Sequence, residues 1–317
     1  MWGGQTFPVY MPDEPPGVAY DPERDEWRTL PTPSIDNRYA HVASFTGSEL
    51  LVWGGLAGDG VALADGAAYA PETDTWRILP ASPLMGGAGY VAAWTGTEWL
   101  TVEAGSEADT DANSGRGAAY DPATNRWRVL PDAPLPGGWA AAAAWTGTVM
   151  VIVRVGSGGP SGGAQYDPST DAWTPIPANP ALTEGQTYPF ATWAGGEVLL
   201  TREVIQTSRG AQDRNEAWGY DPSTLTWREK APPPISLAYS APAVVGDRVV
   251  FYAPHGRQGW VYRPSLDSWL PMPRIEDRGR EFWSATAISD SSVVVWGGSN
   301  PAGDATSEGL VLEFVDP

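Results

Sequence analysis

The chain has 317 residues, with 19 Lys and Arg against 38 Asp and Glu for a formal charge of −19, and it contains no cysteine. That charge repels a phosphate backbone, and the missing thiols exclude disulfides, thiolate metal sites and cysteine nucleophiles. His41 and His255 are the only histidines, so a site of three imidazoles is excluded, and no apolar run reaches the ~18 residues of a bilayer span. Met1 to Tyr10 has neither a basic start nor a long apolar stretch, so no signal peptide is read there. The 37 glycines and 31 prolines, set among 17 tryptophans, are turn-formers between aromatic strands and point to an all-β chain.

Along the chain, the first element is a hairpin of Val18 to Tyr20 and Trp27 to Leu30 around Tyr20-Asp21-Pro22. A Tyr-x-Pro followed by Trp, seven residues after the Tyr, recurs at Tyr69 and Trp76, Tyr120 and Trp127, Tyr166 and Trp173, Tyr220 and Trp227, and Tyr262 and Trp269. Pro fixes φ at the second turn position and the preceding Asp bonds the turn's amides. Ahead of each later hairpin stands another. Ala40 to Phe45 turns at Thr46-Gly47 into Leu50 to Trp53, and Val91 to Trp94 turns at Thr95-Gly96. Ala140 to Trp145 turns at Thr146-Gly147 into Val149 to Val153. Further turns lie at Ala194-Gly195 and Val245-Gly246, and Ser289-Asp290 joins Trp283 to Ile288 with Val293 to Trp296. Glycine supplies the positive φ of such turns.

Each repeat is four short antiparallel strands, and no segment has a helical period. A four-stranded sheet cannot bury both faces alone, so neighbours must stack radially. The expectation is one β-propeller domain over residues 1–317, with six blades, one completed by both termini. Val293 to Trp296 would join Val18 to Tyr20 and Trp27 to Leu30. Leu310 to Phe314 also reads as a strand and competes for the place of Val18 to Tyr20.

Trp53-Gly54-Gly55 and Trp296-Gly297-Gly298, each ending a second strand, together with Tyr-Asp-Pro, the following Trp and Arg38-x-x-His41, resemble the Kelch repeat over essentially the whole chain. The resemblance implies a bacterial six-bladed propeller, similar to the N-acetylneuraminate epimerases or the central domain of galactose oxidases, in an extracellular or periplasmic setting. It also implies that the loops from strand two to three, and from strand four to the next strand one, share the face around the channel. It does not fix an activity, because the family holds both enzymes and scaffolds. The Tyr-Cys crosslink of the copper oxidases has no counterpart here, and no Glu-x-x-x-Asp-x-x-x-His iron motif precedes either histidine.

Candidate chemistry is sought where the repeat is broken. The first Gly of Gly54-Gly55 aligns with Glu103, Arg154, Arg202, Ala253 and Gly297, so three consecutive repeats carry charge there. The start of strand one aligns Ala40 with Gly89, Ala140, Tyr188, Tyr239 and Trp283. The expected site is a polar and aromatic pocket. Arg154 and Arg202, with Arg257 and Arg280, would bind a carboxylate through planar two-pronged donors. Tyr188, Tyr239 and Trp283 would stack on a ring, and Glu103 and His255 would be the acid/base candidates. The competing reading pairs these charges with one another and buries the aromatics as core. His41 holds the Kelch histidine position and reads as structural. Val204 to Ala217 reads as the longest loop from strand two to three. Asp109-x-Asp111-x-Asn113 matches the opening of a calcium loop, but Gly115 comes one residue late and Tyr120 replaces the closing Glu. No other metal and no cofactor is expected.

Three functions are compatible with these residues. One is a module binding a small anionic molecule or peptide at the channel mouth. The second is a cofactor-free mutarotase or epimerase acting on a carboxylated sugar, and the third is a protein-interaction scaffold. The implied partner is a small anion or peptide, with neither nucleic acid nor membrane, and the chain is expected to be a monomer.

Overall fold

The computed structural model describes residues 17–105, 115–136, 140–155, 161–182, 186–187, 189–205, 214–235, 242–252, 258–274, 284–296 and 309–314. The chain divides into two compact units, one of residues 1–5, 9–154 and 163–175, the other of residues 6–8, 155–162 and 176–317. Among the described residues the strands form six consecutive blades, each an antiparallel meander, preceded by a hairpin. This strand order is that of a six-bladed β-propeller, the all-β class that the repeats predict.

The first unit opens with the hairpin Val18–Asp21 and Glu26–Thr29. Blade one is Val42–Phe45, Leu50–Trp53, Gly66–Ala70 and Thr75–Ile78. Blade two is Tyr90–Trp94, Trp99–Glu103, Gly117–Asp121 and Arg126–Leu130. Blade three, almost wholly in this unit, is Ala140–Trp145, Met150–Val155, Gly162–Asp167 and Ala172–Ile176.

In the second unit, blade four begins with Gln186–Thr187 and Phe190–Ala194, which both pair with Glu197–Ile205, and continues with Arg214–Asp221 and Thr226–Lys230. Blade five is Ala243–Val245, Arg248–Tyr252, Gln258–Arg263 and Ser268–Arg274. Blade six is Ser284–Ser289, Ser292–Trp296 and Gly309–Glu313.

Blade six corrects one expectation. Its third strand is Gly309–Glu313, paired along Ser292–Trp296 from Ser292↔Glu313 to Trp296↔Gly309, and not Val18 to Tyr20. The cause is packing: Leu310 and Leu312 lie against Val293 and Val295. The long loop expected over Val204 to Ala217 is also shorter, since Val204 pairs with Arg214 and strand three already runs from there.

Core forms between sheets. In the first unit, Leu51, Trp53 and Ala68 of blade one pack on Trp99, Ala118 and Tyr120 of blade two. Leu100, Val102 and Ala119 of blade two pack on Met150, Ile152 and Tyr166 of blade three. In the second unit, Leu199 and Ala217 of blade four meet Val249, Phe251 and Tyr262 of blade five.

The conserved spacing within each repeat has a visible cause. Five residues after each repeat tyrosine, the turn adopts a positive φ, at Asp25, Asp74, Asn125, Asp171, Leu225 and Asp267. Asp and Asn tolerate that conformation. The Tyr69 hydroxyl donates to Asp74 at 2.5 Å and Tyr262 to Asp267 at 2.7 Å, which closes the turn. The tryptophans of blades one to five each tie their hairpin to the segment that follows the preceding one. Trp76 Nε1 donates to the Pro31 carbonyl at 2.7 Å, Trp127 to Pro80 at 3.0 Å and Trp269 to Ala231 at 2.8 Å.

Candidate functional site

The rung at the end of strand two is built differently in each blade. In blade one it is Gly54, with Arg38 as its partner. Arg38 is fully buried and donates Nη1 to the carbonyls of Gly54 at 3.1 Å and Asp65 at 3.0 Å, while Nη1 stands 2.9 Å from the Asp65 carboxylate. Gly55 has φ +86°, and a Cβ there would stand 2.5 Å from the Tyr39 carbonyl and 2.9 Å from His41 Cβ. Burial, with the Arg38 charge second, pushes the His41 imidazole down to about 4. A neutral imidazole packed under a tight glycine turn has the structural role read for it from the sequence.

In blade two the rung is Glu103, directly opposite Tyr90. Opposed residues of an antiparallel pair share a face. The Tyr90 ring meets Trp53 of blade one edge-on, with centroids 5.0 Å apart. Its phenol is pushed up to about 12, mainly by burial and secondly by the Glu103 charge. Tyr90 was not singled out in the sequence, although it stands at the register of His41, six residues before the turn glycine.

In blade three the rung is Arg154, 3% exposed. It continues the row of Met150 and Ile152, which pack towards blade two, so its guanidinium extends from the same face by the two-residue period.

In blade four the rung is Arg202, 1% exposed, opposite Glu216. Arg202 Nε donates to Glu216 Oε2 at 2.8 Å. Nη2 donates to the Ala181 carbonyl at 3.1 Å and Nη1 to that of Leu182 at 3.4 Å. Arg214 Nε donates to the other Glu216 oxygen at 2.6 Å. Arg202 therefore braces the 3-10 turn Pro180–Leu182 ahead of blade four. It pairs with Glu216 two rungs into the third strand, a partner that the sequence placed in a loop.

A second charged cluster in blade four had no part in the sequence reading. Lys230, 4% exposed, bonds Glu197, and Arg228 Nη2 lies 3.0 Å from the same carboxylate. The signal was present: Lys230 stands three residues after the repeat tryptophan, where other blades have Leu30, Leu79, Leu130, Ile176 and Met272.

Tyr188, Tyr239, His255, Arg257, Arg280 and Trp283, and the calcium-loop candidates Asp109, Asp111 and Asn113, lie outside the described residues. Among the described residues no three His, Asp or Glu side chains are grouped to hold a metal ion, and no helix is long and apolar enough to cross a membrane.

Fold and rung together define a β-propeller with charge installed at the ends of successive second strands. No family model matches the chain, and no curated protein does.

Proposed function

We propose that the protein is a binding module of the Kelch-propeller kind, taking a small anionic ligand or peptide at the ends of the blades where second strands give way to third. One observation carries the reading. Glu103, Arg154 and Arg202 stand where blade one needs only Gly54, and charge serves no turn geometry there. Arg154 and Arg202 are buried and Glu103 half-buried, and charge kept at one register of three successive blades at the cost of its desolvation argues for a polar task.

In this reading Arg154 is the ligand contact, because a guanidinium offers a carboxylate two parallel donors. Arg202, engaged by Glu216 and by two carbonyls, holds the turn Pro180–Leu182 within the second unit. Glu103, against the protonated phenol of Tyr90, sets a negative limit to the site and selects the orientation of the ligand.

The test is calorimetric titration of the chain with N-acetylneuraminate, glutarate and a short peptide with a free C-terminal carboxylate, each beside its methyl ester. Saturable heat from an acid and not from its ester supports the proposal. Absence of binding by all three acids defeats it.

A further inference from the structure

Blade four departs from the repeat on one face. Leu199 and Ala217 of that blade pack on Val249, Phe251 and Tyr262 of blade five. By the two-residue period of a strand, Glu197, Thr201 and Glu203 lie on the same side as Leu199. The matching layer of blade one contains Trp53, Ala68 and Leu79, and that of blade two contains Val102, Ala119 and Leu130. Counted from the turn glycine and from the repeat aromatics, blade four has Thr201, Gly219 and Lys230 in these places. Two apolar side chains have become polar and one alanine has lost its methyl. Gly219 makes room, since a Cβ there would run into the Glu197 carboxylate and stand 2.6 Å from Lys230 Cε.

Lys230 and Glu197 satisfy each other. Two other buried polar atoms of this layer, Thr201 Oγ1 and Trp260 Nε1, have no hydrogen-bond partner among the described residues. Trp260 is paired in register with Phe251, which packs on blade four, so its indole belongs to the same layer. Blades one to three have Ala67, Ala118 and Ala164 at the Trp260 position, two residues before the repeat tyrosine. Thr201 stands six residues beyond its turn glycine, Gly195, and Phe251 five beyond Gly246. The hydroxyl and the indole therefore lie within about one residue, ~3.3 Å, of the same height. An unmet buried hydroxyl or N–H is costly, and such groups call for a partner from outside the chain, a water or a ligand.

We infer that the layer between blades four and five holds a small neutral polyhydroxylated molecule. Trp260 Nε1 donates to one of its hydroxyls, and Thr201 Oγ1 exchanges hydrogen bonds with another. The donor set decides the chemical class. The indole only donates and the threonine both donates and accepts, and hydroxyl groups satisfy both. The Lys230 charge of this layer is taken up by Glu197, so the layer suits a neutral ligand rather than an anion. This site uses none of the residues assigned to the carboxylate ligand, so either binding reading stands or falls without the other.

The experiment follows the indole N–H resonance of Trp260 in the ¹⁵N-labelled full chain, assigned by its loss in Trp260→Phe, during titration with glucose, N-acetylglucosamine and myo-inositol. The expected result is a saturable shift with at least one polyol, weakened at least tenfold in Thr201→Val and retained in Thr201→Ser. Should Trp260→Phe fail to fold, through-bond assignment identifies the same resonance in the native chain and in the two threonine variants. A resonance that exchanges only with a resident water and is moved by none of the three polyols overturns the proposal. So does a shift that is equal in Thr201→Val and the native chain.

Discussion

Arg77 grips Glu49 through two parallel hydrogen bonds, Nε to Oε1 at 2.8 Å and Nη2 to Oε2 at 2.6 Å. Its third nitrogen, Nη1, reaches the Tyr120 hydroxyl of the next blade at 2.8 Å. Arg128 repeats the arrangement with Glu98 in its own blade, at 2.7 Å for both bonds, and with Asp171 of blade three at 3.0 Å. One arginine thus ties the first hairpin of a blade to its fourth strand and to the neighbouring blade. Where the acid is replaced the arginine is replaced with it: Val149 goes with Thr174 in blade three, and Arg248 with Leu270 in blade five.

Removing such a bracket is expected to loosen two blades at once. Glu49 is about one-fifth exposed and Arg77 about one-third, so solvent screens the pair in part and the cost of Arg77→Ala is about 1–2 kcal/mol. Urea unfolding checks this. The Arg77→Ala and Glu49→Gln double variant is expected to be less destabilised than the sum of the single ones, because the two changes remove the same bonds.

His41 makes stability depend on pH in a defined window. Its folded value lies near 4, depressed from 6.5 by burial and by the Arg38 charge. The unfolded chain therefore binds a proton that the folded chain refuses between those values, and stability rises with pH across the window. The contribution is complete above about pH 6.5 and is lost as pH falls towards 4. Its size is roughly 3 kcal/mol. Urea midpoints at pH 7.5 and pH 4.5 are expected to differ more for the native chain than for His41→Asn. An equal loss in both would place the acid sensitivity elsewhere.

Gly219 is expected to tolerate no side chain while Lys230 and Glu197 keep their bond. The methyl of Gly219→Ala would meet both of them, and overpacking of this kind costs about 1–3 kcal/mol. Adding Lys230→Leu gives the third and fourth strands the Ala and Leu of blades one and two, where the acid at the Glu197 position pairs with the arginine of the fourth strand. Thermal unfolding of the double variant is therefore expected to recover most of what the single change loses.

The repeat was legible in the sequence because its hydrogen bonds are local. A tyrosine and a tryptophan seven residues apart, with a positive-φ residue between them, describe one hairpin completely. The seam was not legible. Val18 to Tyr20 and Leu310 to Phe314 are both short apolar strands, and only the packing of Leu310 and Leu312 on Val293 and Val295 distinguishes them. For the rung, counting from the turn glycine located Glu103, Arg154 and Arg202, but not the partner of Arg202. Glu216 is fourteen residues away across a loop, and no periodicity records where a loop ends. The polar layer of blade four escaped for a related reason. Thr201, Gly219 and Lys230 sit on three different strands, and each looks unremarkable until the three are laid on one face.

The most direct test of the proposed function compares Arg154→Met with Arg202→Met in carboxylate binding and in stability. Arg154→Met is expected to weaken binding at least tenfold in a chain that still unfolds in one cooperative transition. Arg202→Met is expected to lower the midpoint, since it removes the buried guanidinium that holds one Glu216 oxygen and the carbonyls of Ala181 and Leu182. Full affinity in Arg154→Met would contradict the proposed role of that arginine and, with it, the binding site.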